Sequence, residues 1–113
     1  MSKIENKDCI FCKIAEGEIP AEKVWEDEKY LAFLDRQPLR KGHTIIIPKK
    51  HTETIFDLND KEYSTLMLKA KEIAKILKSK YKTKKILVLV EGFEIPHAHI
   101  HLIPSDTPLK ITK

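Results

Sequence analysis

Three of the chain's five histidines stand at every second position in Ile95-Pro-His-Ala-His-Ile-His-Leu-Ile103, and this alternation limits the fold more than any other feature. A strand turns successive side chains to opposite faces at about 3.3 Å per residue, so His97, His99 and His101 share one face and Ala98, Ile100 and Leu102 the other. A helix would scatter the same imidazoles about 200° apart. Pro96 and Pro104 bracket a strand-length segment, where proline is tolerated at the ends. The sequence therefore predicts a strand with a histidine face and a core face. Imidazole titrates near neutral pH, so clustered histidines serve as nucleophile, acid, base or metal ligand. Two readings stay open here: a metal site, or metal-free proton and nucleophile chemistry.

With 113 residues, the chain is expected to form a single domain, 1–113. Its N-terminus lacks an apolar leader, and the longest aliphatic run, Ile86-Leu-Val-Leu-Val90, is far too short to span a bilayer. A cytoplasmic protein with no membrane partner is the expectation. The only cysteines, Cys9 and Cys12, form a C-x-x-C, which in a reducing compartment indicates metal or redox work rather than a structural disulfide. The net charge of +4 is unevenly placed, with eight lysines against Glu72 alone between Lys69 and Lys85. These lysines alternate with apolar residues at helical spacing and no aromatic stacking set accompanies them. They therefore read as the solvated side of a helix, and nucleic acid is not an expected partner.

Cys9 to Gly17 reads as a short helix with Ile10, Phe11 and Ile14 on its apolar side. Lys23–Asp27 and Lys29–Leu34 read as strands of a hairpin, and Gly42–Pro48 as a third, β-branched strand. From Asn59, an N-cap with Glu62 three residues on, an apolar stripe of Tyr63, Leu66, Met67, Ala70, Ile73, Ala74, Leu77 and Tyr81 predicts a long helix. Ile86–Glu91 is a fourth strand and Gly92–Pro96 a turn before the histidine strand. The expected fold is α+β: an antiparallel sheet with one long packed helix and a short N-terminal helix. The fourth strand, apolar on both faces, invites pairing across a dimer.

Gly42-His43-Thr-Ile-Ile-Ile-Pro48-Lys-Lys-His51 and Pro96-His-Ala-His-Ile-His-Leu-Ile103, with Cys9-Ile-Phe-Cys-Lys-Ile14, Ile19-Pro20 and Ala32-Phe-Leu-Asp35 in order before them, resemble the histidine-triad (HIT) family, Hint-like branch. The resemblance covers nearly the whole chain. It implies a nucleotide hydrolase or transferase attacking the α-phosphorus of nucleoside phosphoramidates or dinucleoside polyphosphates, with a purine nucleotide as substrate and a homodimer joined through its sheet. Residue by residue, it implies His99 as the nucleophile, His101 as the partner that contacts phosphate and protonates the departing group, and His43 as a fourth histidine in a proton relay. Asp35 matches the carboxylate that holds the ribose, and Phe11, Ile14, Ile19 and Phe33 match the slot for the base. Cys9, Cys12, His51 and His97 match the ligands of a structural Zn²⁺ in members that keep C-x-x-C. A nucleotide-binding regulatory module with little turnover, or a zinc-dependent hydrolase using the triad as ligands, are the alternatives.

The chain departs from the family pattern before the triad, where Gly92-Phe-Glu-Ile-Pro96 replaces the usual Gln- and Ser/Thr-containing phosphate loop and the preceding strand lacks its asparagine. Its tail after Pro104 is also short.

Overall fold

Asp27 turns the first hairpin. Its Oδ1 accepts the backbone N–H of Lys29 at 2.9 Å and of Tyr30 at 2.7 Å, a side-chain mimic of a turn. These bonds end β1 at Lys23–Glu26 and start β2 at Tyr30–Leu34, one residue short of expectation on each side. The computed structural model describes residues 8–110, and the three strands that follow are β3 (Thr44–Pro48), β4 (Lys85–Leu89) and β5 (Ile100–Ser105). All pairings are antiparallel, in the order β1-β2-β3-β5-β4. The fold is the expected α+β architecture, with β4 on an edge. Among the described residues no helix is long and apolar enough to cross a membrane.

The long helix α2 runs over Asp60–Tyr81. Asn59 Oδ1 accepts the Glu62 N–H at 2.8 Å while Asn59 N–H reaches Glu62 Oε1 at 3.3 Å, the reciprocal cap that the sequence signalled. Leu66, Ala70, Ile73 and Leu77 bury their side chains against Ala32, Ile46, Ala98, Ile100 and Leu102. Met67, expected within that stripe, is exposed, because the stripe turns with the 3.6-residue period and leaves it at the margin. Gly42 approaches the last turn of α2 with φ +87°, and a Cβ there would meet the Tyr81 ring at 2.6 Å, so only glycine fits.

The opposite sheet face is covered by the short helix α1 (Ile10–Ala15). Cys9, Phe11, Cys12 and Ile14 pack on Leu31, Phe33, Ile45 and Ile47, so β2 and β3 are buried on both faces. Ile10, expected on the apolar side of this helix, is exposed.

The histidine segment keeps its predicted alternation but not its predicted strand. Ala98, Ile100 and Leu102 face α2, whereas only His101 of the three histidines lies within β5. The β3–β5 ladder stops at Ile46–Ile100 because the next backbone groups are engaged elsewhere. The Ala98 N–H donates to the Thr52 carbonyl at 2.6 Å, and the Pro48 carbonyl accepts from the His97 ring. Pro104, expected to close the strand, sits inside β5 opposite Ile86. By then the ladder with β3 has ended at Thr44–Leu102, and a residue without an N–H is tolerated there.

Candidate active site and metal cluster

His43 begins a chain of hydrogen bonds that fixes where the protons sit. The Leu39 backbone N–H donates to His43 Nδ1 at 3.0 Å, so the neutral ring carries its proton on Nε2. That Nε2–H faces His101 Nδ1 at 2.9 Å, which in turn leaves the His101 proton on Nε2. The His99 Nδ1–H donates to the His97 carbonyl at 2.6 Å, so His99 Nε2 is a bare lone pair. The His99 and His101 rings stand 4.9 Å apart, nearly perpendicular. One ring therefore offers an electron pair and its neighbour a proton. Burial pushes the His101 imidazole down to about 4, with His99 and His43 adding to the effect and Asp35 opposing it. Burial also lowers His43, again against Asp35.

These groups open on a cleft of about 1020 Å³ whose walls include Phe11, Ile14, Phe33, Asp35, His43, His99 and His101. Ile19 packs against the same α1-side core as Phe11, Ile14 and Phe33, next to Pro20 and Ala21 of the cleft wall. Phe11 meets the His99 ring edge-on at 5.1 Å and Phe33 at 5.6 Å, so α1 both lines the slot and steadies His99. Asp35 follows β2. Its Oδ1 accepts the Gln37 N–H at 2.8 Å, while Oδ2 lies 3.4 Å from His43 Nε2 and 4.0 Å from His101 Nδ1.

Cys9, Cys12, His51 and His97 converge with their ligand atoms all within 4.8 Å of one another. His97 Nε2–H donates to the Pro48 carbonyl at 2.8 Å, which leaves Nδ1 bare and aimed at Cys9 Sγ (3.3 Å) and Cys12 Sγ (3.4 Å). His51 Nδ1 lies 3.2 Å from Cys12 Sγ. A tetrahedral ion at ordinary Zn–S and Zn–N lengths sets S···N near ~3.6 Å, close to these separations. Burial, then the Cys9 sulfur, pushes the Cys12 thiol up to about 12, so two thiolates here need a cation between them. Burial holds the His97 imidazole down to about 4, in the neutral form a ligand requires. The cluster could hold a metal ion.

Asp35, His43 and His101 also converge, but they are poorly suited to a metal. His43 Nε2 carries the ring proton because Nδ1 is occupied by the Leu39 N–H, and a protonated nitrogen cannot ligate. The two clusters are thus set apart by backbone partners: a carbonyl on His97 frees a lone pair, and an N–H on His43 consumes one. Leu39, Pro48 and Gln37 set these states through main-chain hydrogen bonds, which no residue type announces in a sequence.

The family model for the HIT domain matches residues 16–108. The chain belongs to the HIT family. This HIT protein is 44% identical over 100 residues to an uncharacterised HIT-like protein of Methanocaldococcus jannaschii, covering 85% of this chain and 78% of that one. It is 41% identical over 98 residues to the adenosine 5′-monophosphoramidase of Saccharomyces cerevisiae, covering 86% of this chain and 62% of the relative. Among solved structures, a Streptococcus mutans protein superimposes with a TM-score of 0.86 at 34% identity, covering 100% of this chain and 77% of the other. A histidine triad protein from Clostridium difficile gives a TM-score of 0.79 at 34% identity, with 96% and 100% covered.

Proposed function

We propose that this HIT protein hydrolyses purine nucleoside 5′-phosphoramidates through a nucleotidyl-histidine intermediate on His99. The observation that carries the reading is the opposite state of two neighbouring rings, with His99 presenting a bare Nε2 and His101 an Nε2–H to one cleft. The phosphoramidase name of the yeast relative supports the substrate class.

In the first step His99 Nε2 attacks the α-phosphorus and the P–N bond to the amine breaks. The amine leaves with that electron pair and takes a proton from His101 Nε2. The nucleotidyl-bearing His99 ring is then cationic, and its Nδ1–H stays on the His97 carbonyl. In the second step water attacks phosphorus, gives its proton to His101, and the P–N bond to His99 breaks. One hard displacement becomes two easier ones. Phe11, Ile14 and Phe33 would flank the base, and Asp35 would accept from the ribose hydroxyls.

Cys9, Cys12, His51 and His97 would hold a structural Zn²⁺, closed to substrate and supplying a cross-link between α1 and the histidine segment. Two copies would pair through the β4 edge, where Val88, Leu89 and Val90 are exposed.

Adenosine 5′-phosphoramidate incubated with the purified protein tests the reading. Release of AMP and ammonia is expected, with an AMP adduct on His99 seen by mass spectrometry after acid-free quenching. Tight binding without release would instead favour the regulatory module. Loss of turnover on adding chelator to protein that stays folded would favour metal-dependent hydrolysis.

A further inference from the structure

We propose that Asp35 is the counter-ion of an extra proton carried by the His43–His101 pair, a positioning residue for the proton-donating step whatever hold it also has on the ribose. The inference rests on the reading of His101 as proton donor.

Counting protons leads to it. In the neutral pair, His43 holds one proton on Nε2 and His101 one on Nε2. If His101 gave its proton to a departing amine from that state, it would become an imidazolate, because the His43 proton cannot be replaced from the Leu39 N–H. The pair must therefore hold a third proton before the step. The one ring nitrogen of the pair that neither carries a proton nor accepts a backbone N–H is His101 Nδ1, and protonating it sets two N–H groups opposite each other where one hydrogen bond spanned 2.9 Å. That arrangement needs an acceptor reachable from both, and Asp35 Oδ2 is 3.4 Å from one nitrogen and 4.0 Å from the other. Its second oxygen is pinned by the Gln37 N–H, so the carboxylate is aimed rather than free to turn. The third proton leaves with the amine in the first step and returns from water in the second, so the cycle balances.

The other charged or titratable groups near the pair are His99, beside His101, and Glu22, Arg36, Glu91 and Glu94 on the cleft walls. Arg36 is engaged with the Pro20 carbonyl at 2.8 Å. Burial drives the proton off both rings and Asp35 opposes that on both.

Asp35→Asn keeps the shape and removes the charge. An opposite charge at this range raises an imidazole pKa by about one unit or more, so the alkaline limb of kcat should move down by about one pH unit. At pH 8 kcat should fall about tenfold. The decisive comparison uses adenosine 5′-phosphoramidate against its 2′,3′-dideoxyadenosine counterpart. The same kcat loss on both substrates is expected, whereas a loss confined to the substrate with ribose hydroxyls, with the limb unmoved, overturns the proposal and leaves the hydrolase reading intact. Imidazole ¹⁵N NMR titration of substrate-free wild type and Asp35→Asn decides the matter even if no hydrolysis is found. The His43–His101 titration should fall by about one unit, and an unchanged titration overturns the proposal. Asp35→Ala, checked for folding by thermal melting, should show the same shift.

Discussion

The His97 carbonyl accepts the His99 Nδ1–H at 2.6 Å, while the ring of the same His97 aims its bare Nδ1 at two cysteine sulfurs. One residue thus joins the candidate metal cluster to the candidate nucleophile, its side chain serving the first and its backbone the second. Fixing the His97 ring also fixes the carbonyl that holds His99 in the tautomer with a free Nε2.

His99→Ala should abolish hydrolysis of adenosine 5′-phosphoramidate and leave nucleotide binding within a few fold. In the proposed mechanism binding would rest on Asp35 and the apolar wall, and the covalent step on one nitrogen. His101→Ala should slow turnover by a smaller factor, on the order of 10²–10⁴, as expected of one acid–base group. Single-turnover kinetics beside equilibrium binding of AMP checks both. Turnover surviving in His99→Ala would sink the intermediate.

Metal analysis of protein purified without chelator should find about one zinc per chain. Cys12→Ser should lower that stoichiometry and the melting temperature together, because the cluster ties α1 to the histidine segment at His97 and to the loop after β3 at His51, across separations of 85 and 39 residues. Its kcat should fall less than that of His99→Ala, since an ion held by the cluster would touch no reacting atom. Wild-type protein without zinc and unresponsive to chelator in a melting experiment contradicts this.

The layout around this candidate site was legible in sequence. The alternation from His97 to His101 separated the core face packed on α2 from the histidine face, and the Asn59–Glu62 pair marked the start of α2. What residue types could not reveal was where the strand begins, since that depends on the Thr52 and Pro48 carbonyls diverting the ladder. Nor could they reveal the tautomers, which are set by the Leu39 N–H and the His97 carbonyl.

Stability should fall as pH is lowered from about 6.5 toward 4. The folded state holds the His101 imidazole down to about 4, against about 6.5 in the unfolded chain. Across that window the unfolded state binds more protons, so stability is fully present above 6.5 and is lost as pH drops toward the folded value. Urea midpoints measured at several pH values should show the decline. His97, also held down to about 4, contributes in the same window, so His101→Gln should make the decline shallower without abolishing it, and an identical slope in that variant counts against the assignment.

The β4 edge should pair. Val88 is 58% and Leu89 38% exposed, on a strand with one unpaired side, and Val90 just beyond its end is 40% exposed. Sedimentation at micromolar concentration should give about twice the 13.1 kDa chain mass, and Val88→Lys should shift it toward the monomer. A wild-type monomer at that concentration refutes the shared sheet.

Substrate preference should follow the segment before the triad. Glu94 and Glu91 line the same cleft as His99 and His101, and among the described residues Glu94 has no ion-pair partner within 4.0 Å. A carboxylate facing a phosphate at 4 Å costs about 4 kcal/mol per charge pair at an effective dielectric of 20. The repulsion grows with every added phosphate charge, so monophosphoramidates should be hydrolysed better than dinucleoside polyphosphates. Glu94→Ser should raise kcat/KM selectively for the polyphosphates while changing the monophosphoramidate value little. The exposed position of Glu94 screens the charge, so the gain should fall below the full ~4 kcal/mol and shrink further as salt is raised. An equal change on both substrate classes, or a gain indifferent to salt, would show that Glu94 acts on the loop's shape and not on the phosphate charge.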